Sequence, residues 1–366
     1  MARKLQFDKW LFLATILLVC ASVVMVYSAS AVMAMERYQQ PHFFLIKQGM
    51  WAALGIAALA IVMRVDYRSY RNPLFLWAAL GVVGLALLLV LFRDPINGSR
   101  RWFGVGSIGI QPSEVAKLAV VLFVASHLER RMHRIDEVSY SLLPIAVVLS
   151  VLVALIVAEP DFGTALALVG IVTAMVLVAG LNYRYLVGAV LAGLPLMYVV
   201  LIGSEYRRRR LEAFWNPWED PLGSGFQIIQ SLIAVGTGGL LGRGLMDGMQ
   251  KLFYLPEPHT DFIYAVIGEE LGLVGTTAVL ICFCVIAWRG LRIALRAPDS
   301  FGTFLAVGLT AMIALQAFVN ISVVLGLLPT KGLPLPFVSA GGSSLLVNFV
   351  GMGILLNVSQ HAHSDV

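Results

Sequence analysis

Charge is what this chain has least of. Of 366 residues, 13% are Asp, Glu, Lys or Arg, against roughly a quarter in a soluble domain. That deficit excludes a disordered chain and a water-soluble enzyme. Cysteine is scarce too: Cys20, Cys282 and Cys284 all fall inside apolar runs. Cys282 and Cys284 stand two apart on one predicted helix and cannot face each other, which argues against a disulfide framework or a zinc site. No phosphate loop, dinucleotide fingerprint or metalloprotease helix is present, so a soluble nucleotide-sugar donor is not suggested. No repeat of 20–50 residues is visible, and residues 1–366 read as a single membrane domain.

Apolar residues make up 59% of the chain, and the mean hydropathy is +0.85. A helix of about 20 apolar residues crosses a bilayer. Such runs lie near 10–33, 43–63, 73–92, 114–128, 141–158, 163–181, 186–203, 262–287, 302–328 and 344–359. The expected fold class is an all-α polytopic membrane protein of about ten transmembrane helices, with a large extracytoplasmic loop, 204–261, between the seventh and eighth. The first run follows Arg3, Lys4 and Lys9 as a signal peptide would, but its length favours a retained helix. Lys and Arg in short loops set orientation. With the N-terminus cytoplasmic, that side gathers Arg64, Arg68, Arg71, Arg130, Arg131, Arg134, Arg184, Arg289, Arg292 and Arg296, and both termini fall inside. The formal net charge of +5 sits in loops and points to phospholipid or phosphate-bearing partners, not nucleic acid.

The outer segments hold the unusual chemistry. Residues 204–261 contain the run Arg207 to Arg210, the turn-rich stretch Trp215-Asn216-Pro217-Trp218-Glu219-Asp220-Pro221, and an apolar run from Phe226 to Val235 suited to a re-entrant or interfacial helix. Guanidinium forks match phosphate oxygens, so Arg207 and Arg210 are phosphate candidates or anchors to anionic headgroups. The segment ends Pro256-Glu257-Pro258-His259-Thr260-Asp261. There Asp261 reads either as a helix N-cap or as a general base at the membrane boundary. Glu269 and Glu270 lie in the following apolar run, where carboxylates are costly and paired or functional. Adjacent helical residues point about 100° apart, which predicts that the two cannot line one site. Glu114 and Lys117 stand three apart and can pair, or Lys117 can receive an anion. Lys47 and Asp161 are further candidates for the same polar interior. Pro334 to Ser344, with Ser343 and Ser344, can cradle a ligand or allow close helix packing.

Six strings carry a resemblance. They are Asn97-Gly-Ser-Arg-Arg-Trp, Gln111-Pro-Ser-Glu-Val-Ala-Lys, Glu159-Pro-Asp-Phe-Gly-Thr, Asn216-Pro-Trp-Glu-Asp-Pro-Leu-Gly-Ser-Gly-Phe-Gln, the run from Lys251 through Asp261 to Gly272, and Lys331-Gly-Leu-Pro-Leu-Pro-Phe-Val-Ser-Ala-Gly-Gly-Ser-Ser. In order and over nearly the whole chain they resemble the SEDS (shape, elongation, division and sporulation) family, its division and sporulation branches more than its elongation branch. The resemblance implies a peptidoglycan glycosyltransferase that polymerises lipid II at the outer face of the bacterial inner membrane. Implied partners are a class B penicillin-binding protein and other divisome membrane proteins. The family's essential aspartate falls on Asp261. Glu114, Lys117 and Asp161 match positions of functional weight, and Arg101 and Trp102 match the outer-loop motif. Lys331, Ser343 and Ser344 complete the expected substrate contacts, with a divalent cation, Mg or Mn, as an added expectation. Ala340 departs from the family's usual aromatic. A lipid II flippase and a non-catalytic scaffold are the competing readings.

Overall fold

The computed structural model describes residues 7–362 apart from 95–99, 106–107, 136 and 204; the side chains of 105, 108, 186, 196–197, 199–202 and 206–207 also lie outside the description. The elements are α1 (Lys9–Tyr38), α2 (Phe43–Val62), α3 (Pro73–Val90), a hairpin of β1 (Phe103–Val105) and β2 (Ile108–Ile110), α4 (Pro112–Arg131), α5 (Leu143–Ala158), α6 (Phe162–Val178), α7 (Tyr183–Ile202), α8 (Glu205–Trp215), α9 (Phe226–Gly238), α10 (Ile263–Arg296), α11 (Ser300–Val324) and α12 (Gly342–Ala362). Every apolar run expected to span forms a helix. Among the described residues, seven helical stretches are long and apolar enough to cross a membrane: α1, α2, α3, Val138–Ala158, α10, α11 and α12. The remaining three runs form α4, α6 and α7.

Helix starts follow their capping residues. Asp8 accepts from Leu11 N at 3.0 Å and Asp299 from Gly302 N at 2.7 Å. Asn72 caps α3, with Pro73 at its first position, where a missing N–H costs nothing. The run expected over 302–328 ends as a helix at Val324 because Leu327 N and Leu328 N both turn back to Ser322 O, with Gly326 at φ 69.

The run expected at 262–287 is longer and broken. Gly272 adopts φ 65, ψ −158 inside α10, a conformation open to glycine. The break frees backbone groups that lipid cannot satisfy, and segment 239–244 satisfies them. Leu273 N bonds Gly239 O at 2.9 Å, Val274 N bonds Leu240 O at 3.2 Å, and Arg243 N and Gly244 N bond Glu269 O and Glu270 O at 3.0 Å each. A short helix, 263–271, thus stands apart from the long remainder of α10 and carries the chain in from Asp261.

α11 and α12 form the largely buried centre, while α2, α3 and Val138–Ala158 keep most of their apolar surface exposed. The two ends of the bundle differ. At one end Asp8 N bonds Ser359 Oγ at 3.1 Å, Asp8 pairs with Arg289 at 2.5 Å, and Tyr67 N bonds Asn357 Oδ1 at 2.9 Å. Asp299 there accepts from Tyr67 and Arg68 at 2.7 and 3.0 Å. Both terminal helices therefore have their outer ends at the same end of the bundle. The other end holds the starts of α2, α4, α6, α10 and α12.

The α2–α12 contact depends on a small residue. The Phe349 ring fills the space where a Cβ on Gly55 would stand, which allows the backbones to approach closely. Gly55→Val is expected to destabilise the bundle by about 1–3 kcal/mol through overpacking, read as a lower unfolding temperature in detergent. An unchanged temperature would contradict this packing.

Candidate active site

At the end of the bundle opposite the termini, segment 330–341 lies as a strap across residues 257–262. Asn320, on α11, donates to Asp261 O at 2.8 Å and Leu333 O at 2.7 Å. One turn earlier Gln316 donates to Pro334 O at 2.8 Å and accepts from Lys117 Nζ at 2.5 Å. Lys117 Nζ stands 3.0 Å from Glu114 Oε1. Ser339 Oγ donates to Thr260 O at 2.5 Å and accepts from Leu335 N at 2.8 Å, while Ala340 N bonds His259 O at 2.9 Å. The expected Glu114–Lys117 pair is thus present, and it acts on the strap through Gln316. The ammonium is 1% exposed and already held.

Asp261 is half-buried. Phe262 occupies the cap position of α10 without a side-chain bond, so the N-cap role proposed for Asp261 is not taken up. No hydrogen bond from a described residue reaches its carboxylate. Gly332 lies against it: a Cβ there would stand 2.9 Å from Asp261 Oδ2. Burial raises the carboxyl pKa to about 7, aided by Glu257 and Asp161, while Arg101 and Arg210 oppose the rise. A carboxylate with no hydrogen-bond partner among the described residues, partly desolvated and near two guanidiniums, has the chemistry to accept a proton near neutral pH.

The surrounding cations are held by backbone. Arg101 Nε donates to Glu159 O at 3.2 Å and its Nη2 to Pro160 O, with Nη1 3.9 Å from Asp161 Oδ1. Asp161 caps α6 through Thr164 N at 3.2 Å and Thr164 Oγ1 at 2.9 Å, and accepts from Gln111 at 3.0 Å. Glu159 is fully buried, and neither carboxylate oxygen has a hydrogen-bond partner among the described residues. Burial and the nearby Asp161 push its pKa up to about 8 against the pull of Arg101, so Glu159 holds its proton at neutral pH. Arg210 Nη1 donates to Thr330 O at 3.2 Å. Lys331, half-buried, has its pKa lowered by burial. Trp102 packs against Gly109 of β2 and closes the hairpin. Ser343 Oγ is buried with no partner among the described residues, and Ser344 Oγ accepts from Asn348 at 3.4 Å. The Arg207 side chain lies outside the described residues.

The expectation that Glu269 and Glu270 cannot serve one site is corrected. Both hold segment 246–251, which wraps around the short helix and so meets two directions 100° apart. Glu269 accepts from Met249 N at 2.8 Å and Gln250 N at 3.1 Å. Glu270 takes Lys251 Nζ at 2.6 Å, Ser28 Oγ at 2.7 Å and Met246 N at 3.2 Å. Of the buried charges that favoured a headgroup pathway, Glu114 and Lys117 pair with each other, and Glu269 is held by backbone N–H groups with Arg243 at 3.6 Å. Among the described residues no three His, Cys, Asp or Glu side chains group as metal ligands.

Sequence reasoning passed over Gln316 and Asn320. Their i, i+4 spacing inside an apolar run was the available signal, since it puts two amides on one helix face. His259 and Glu159 were quoted only within motifs. The 3-residue strands β1 and β2 were missed because Gly-rich alternation that short has little pattern.

A family model for the FtsW, RodA and SpoVE cell cycle proteins matches residues 8–364. A probable peptidoglycan glycosyltransferase FtsW from Geobacter metallireducens is 45% identical over 361 residues, covering 97% of this chain and 95% of that protein. Stage V sporulation protein E from Bacillus subtilis is also 45% identical over 361 residues, covering 98% of this chain and 99% of that protein. Among solved structures, a chain of a peptidoglycan synthase complex that coordinates polymerization and crosslinking superimposes with TM-score 0.80 at 31% identity, over 99% of this chain and 100% of that one. Rod shape determining protein RodA from Thermus thermophilus superimposes with TM-score 0.73 at 28% identity, over 99% of each chain.

Replacing Lys251 by Met leaves Glu270 buried and unpaired, a loss of about 3–5 kcal/mol. The K251M/E270Q double variant is expected to recover much of it, since the pair couples directly. Unfolding temperatures of the four proteins measure this, and additive losses would contradict the pairing.

Proposed function

The chain belongs to the FtsW/RodA/SpoVE family of cell cycle proteins, and on that premise we propose that it polymerises lipid II into β-1,4-linked glycan strands during cell division, with Asp261 as general base. The protein is a peptidoglycan glycosyltransferase, as its relatives are named. The observation that carries the role of Asp261 is its carboxylate, which no hydrogen bond from a described residue reaches and whose pKa burial raises to about 7 against the pull of Arg101 and Arg210.

In this reading ten helices span the bacterial inner membrane, both termini are cytoplasmic, and 204–261 is the extracytoplasmic loop. Asp8 and Ser359 at one end and Asp261 at the other support that arrangement, as does the Lys and Arg bias of the end loops. The polymerase assembles with a class B penicillin-binding protein, and other divisome proteins join it. A cysteine replacing Leu222, which is 88% exposed, is expected to react with a membrane-impermeant maleimide on intact spheroplasts. Labelling only after lysis would overturn the topology.

The chemistry follows from the groups present. The C4 hydroxyl oxygen of the acceptor sugar attacks the anomeric carbon of the lipid-linked donor while Asp261 takes the hydroxyl proton. Such assistance is worth about 10²–10⁴ in rate. The bond from the anomeric carbon to the pyrophosphate oxygen breaks, and its electron pair leaves with undecaprenyl pyrophosphate. An α-linked donor becomes a β linkage by inversion. Pyrophosphate leaves without an acid, so its growing charge needs fixed cations. Arg101, Arg210 and Lys331 fill that role, with Arg207 on the same helix as Arg210. Glu114, Lys117 and Asp161 position these groups, and Trp102, Ser343 and Ser344 contact substrate.

Asp261→Asn is expected to keep the unfolding temperature and abolish polymerisation of purified lipid II with the partner present. In the intact enzyme the base is protonated below its pKa, so kcat/KM falls as pH drops through about 7. Wild-type rates in D261N, or a profile flat from pH 5 to 8, would overturn the assignment.

A further inference from the structure

The face of α2 toward the strap carries a cation that the reading above does not use. The Phe44 ring lies 4.6 Å from that of His259. Gln48 Nε2 reaches Ser22 Oγ at 2.7 Å and Ser339 O at 3.4 Å. The Trp51 indole occupies the space where a Cβ on Gly342 would stand. Lys47 is three residues after Phe44 and four before Trp51, so it leaves the helix on the face between these contacts. It is half-buried and forms no ion pair or hydrogen bond with any described residue. A lysine within a span that lacks a partner is costly and marks function.

The groups around that face include an indole N–H donor, an imidazole nitrogen and a hydroxyl. Among the described residues Trp51 Nε1, His259 Nδ1 and Ser343 Oγ each find no hydrogen-bond partner, and the three residues are 6%, 6% and 3% exposed. The α12 N-terminus begins at Gly342 and adds free backbone N–H groups, which favour anions. Lys47 and Arg37 lie within electrostatic reach of His259; Glu257 is the carboxylate that faces it. Unpaired buried donors call for a ligand that accepts several bonds at once, and a diphosphate does so.

Glycosyl transfer between two lipid-linked sugars brings two pyrophosphates to one base. Held within a few sugar widths, they repel unless each has its own cations. We propose that Lys47, Trp51, His259, Ser343 and the α12 N-terminus bind the second pyrophosphate, the one retained in the turnover. Arg101, Arg210 and Lys331 serve the one that leaves. The assignment rests on the polymerase reading and adds a second polar-head subsite to it.

The test counts bound probe. Full-length protein in phosphatidylcholine nanodiscs is titrated with undecaprenyl pyrophosphate and examined by native mass spectrometry. Wild type and D261N are each expected to bind two molecules. K47Q is expected to retain one, with the second weakened at least tenfold, and K47R to restore two. W51F, which removes the indole N–H donor together with the five-membered part of the ring, is expected to weaken the same site. A single site in wild type, or two undiminished sites in both K47Q and W51F, would overturn the proposal. Phosphatidylglycerol filling the Lys47-dependent site as readily as the probe would overturn it also, making that site one for bulk headgroups. Polymerisation by D261N would instead sink the base assignment and leave these counts unchanged.

Discussion

Everything at the candidate site depends on one constraint: the strap 330–341 is held down on residues 257–262 by amides and hydroxyls buried in the bundle. Asn320 spans the two segments by donating to Asp261 O and Leu333 O, and Ser339 ties them again through Thr260 O. Each neutral bond contributes only about 0.5–1.5 kcal/mol net. Breaking one inside an apolar bundle, however, leaves carbonyls that no lipid tail can satisfy. The strap is therefore fixed in place more firmly than its bond count suggests. Gly332 lets it come within contact of the Asp261 carboxylate, and that contact supplies part of the desolvation behind the raised pKa.

The charges divide into two kinds. Glu114 with Lys117, Glu270 with Lys251 and Asp8 with Arg289 are paired within about 3 Å and hold helices to one another. Such pairs add little net stability but are costly to break. Asp261 and Lys47 belong to the other kind, since neither has a hydrogen-bonded partner among the described residues. Leaving an ionisable group unmatched in a membrane protein is expensive, and both groups lie toward the end of the bundle opposite the termini. The break at Gly272 fits the same division. It separates the short helix behind Asp261 from the spanning helix, and segment 239–251 then grips that short helix through Glu269 and Glu270.

Much of the fold was legible. Apolar runs placed the helices because a bilayer demands length and hydropathy, and the i, i+3 rule found Glu114–Lys117. What failed to appear in the sequence was long-range. Nothing local says that Lys251 meets Glu270, or that segment 239–244 supplies the backbone bonds lost at Gly272. The angle argument for Glu269 and Glu270 was sound for a flat partner and failed because the partner wraps around the helix. At Asp261 the local pattern left cap and base open. The family resemblance chose the base, and the cap position at Phe262 leaves its carboxylate unused by the helix.

The central claim is that the Asp261 carboxylate has no hydrogen-bond partner among the described residues and titrates near neutrality. Difference infrared spectroscopy of the carboxyl stretch, comparing wild type with D261N across pH 4–9 in nanodiscs, measures this directly. The account predicts a protonated carboxyl band that belongs to Asp261 and disappears with a midpoint near pH 7. A midpoint near 4, the ordinary value for an aspartate, would mean a solvated or paired carboxylate and would contradict the account.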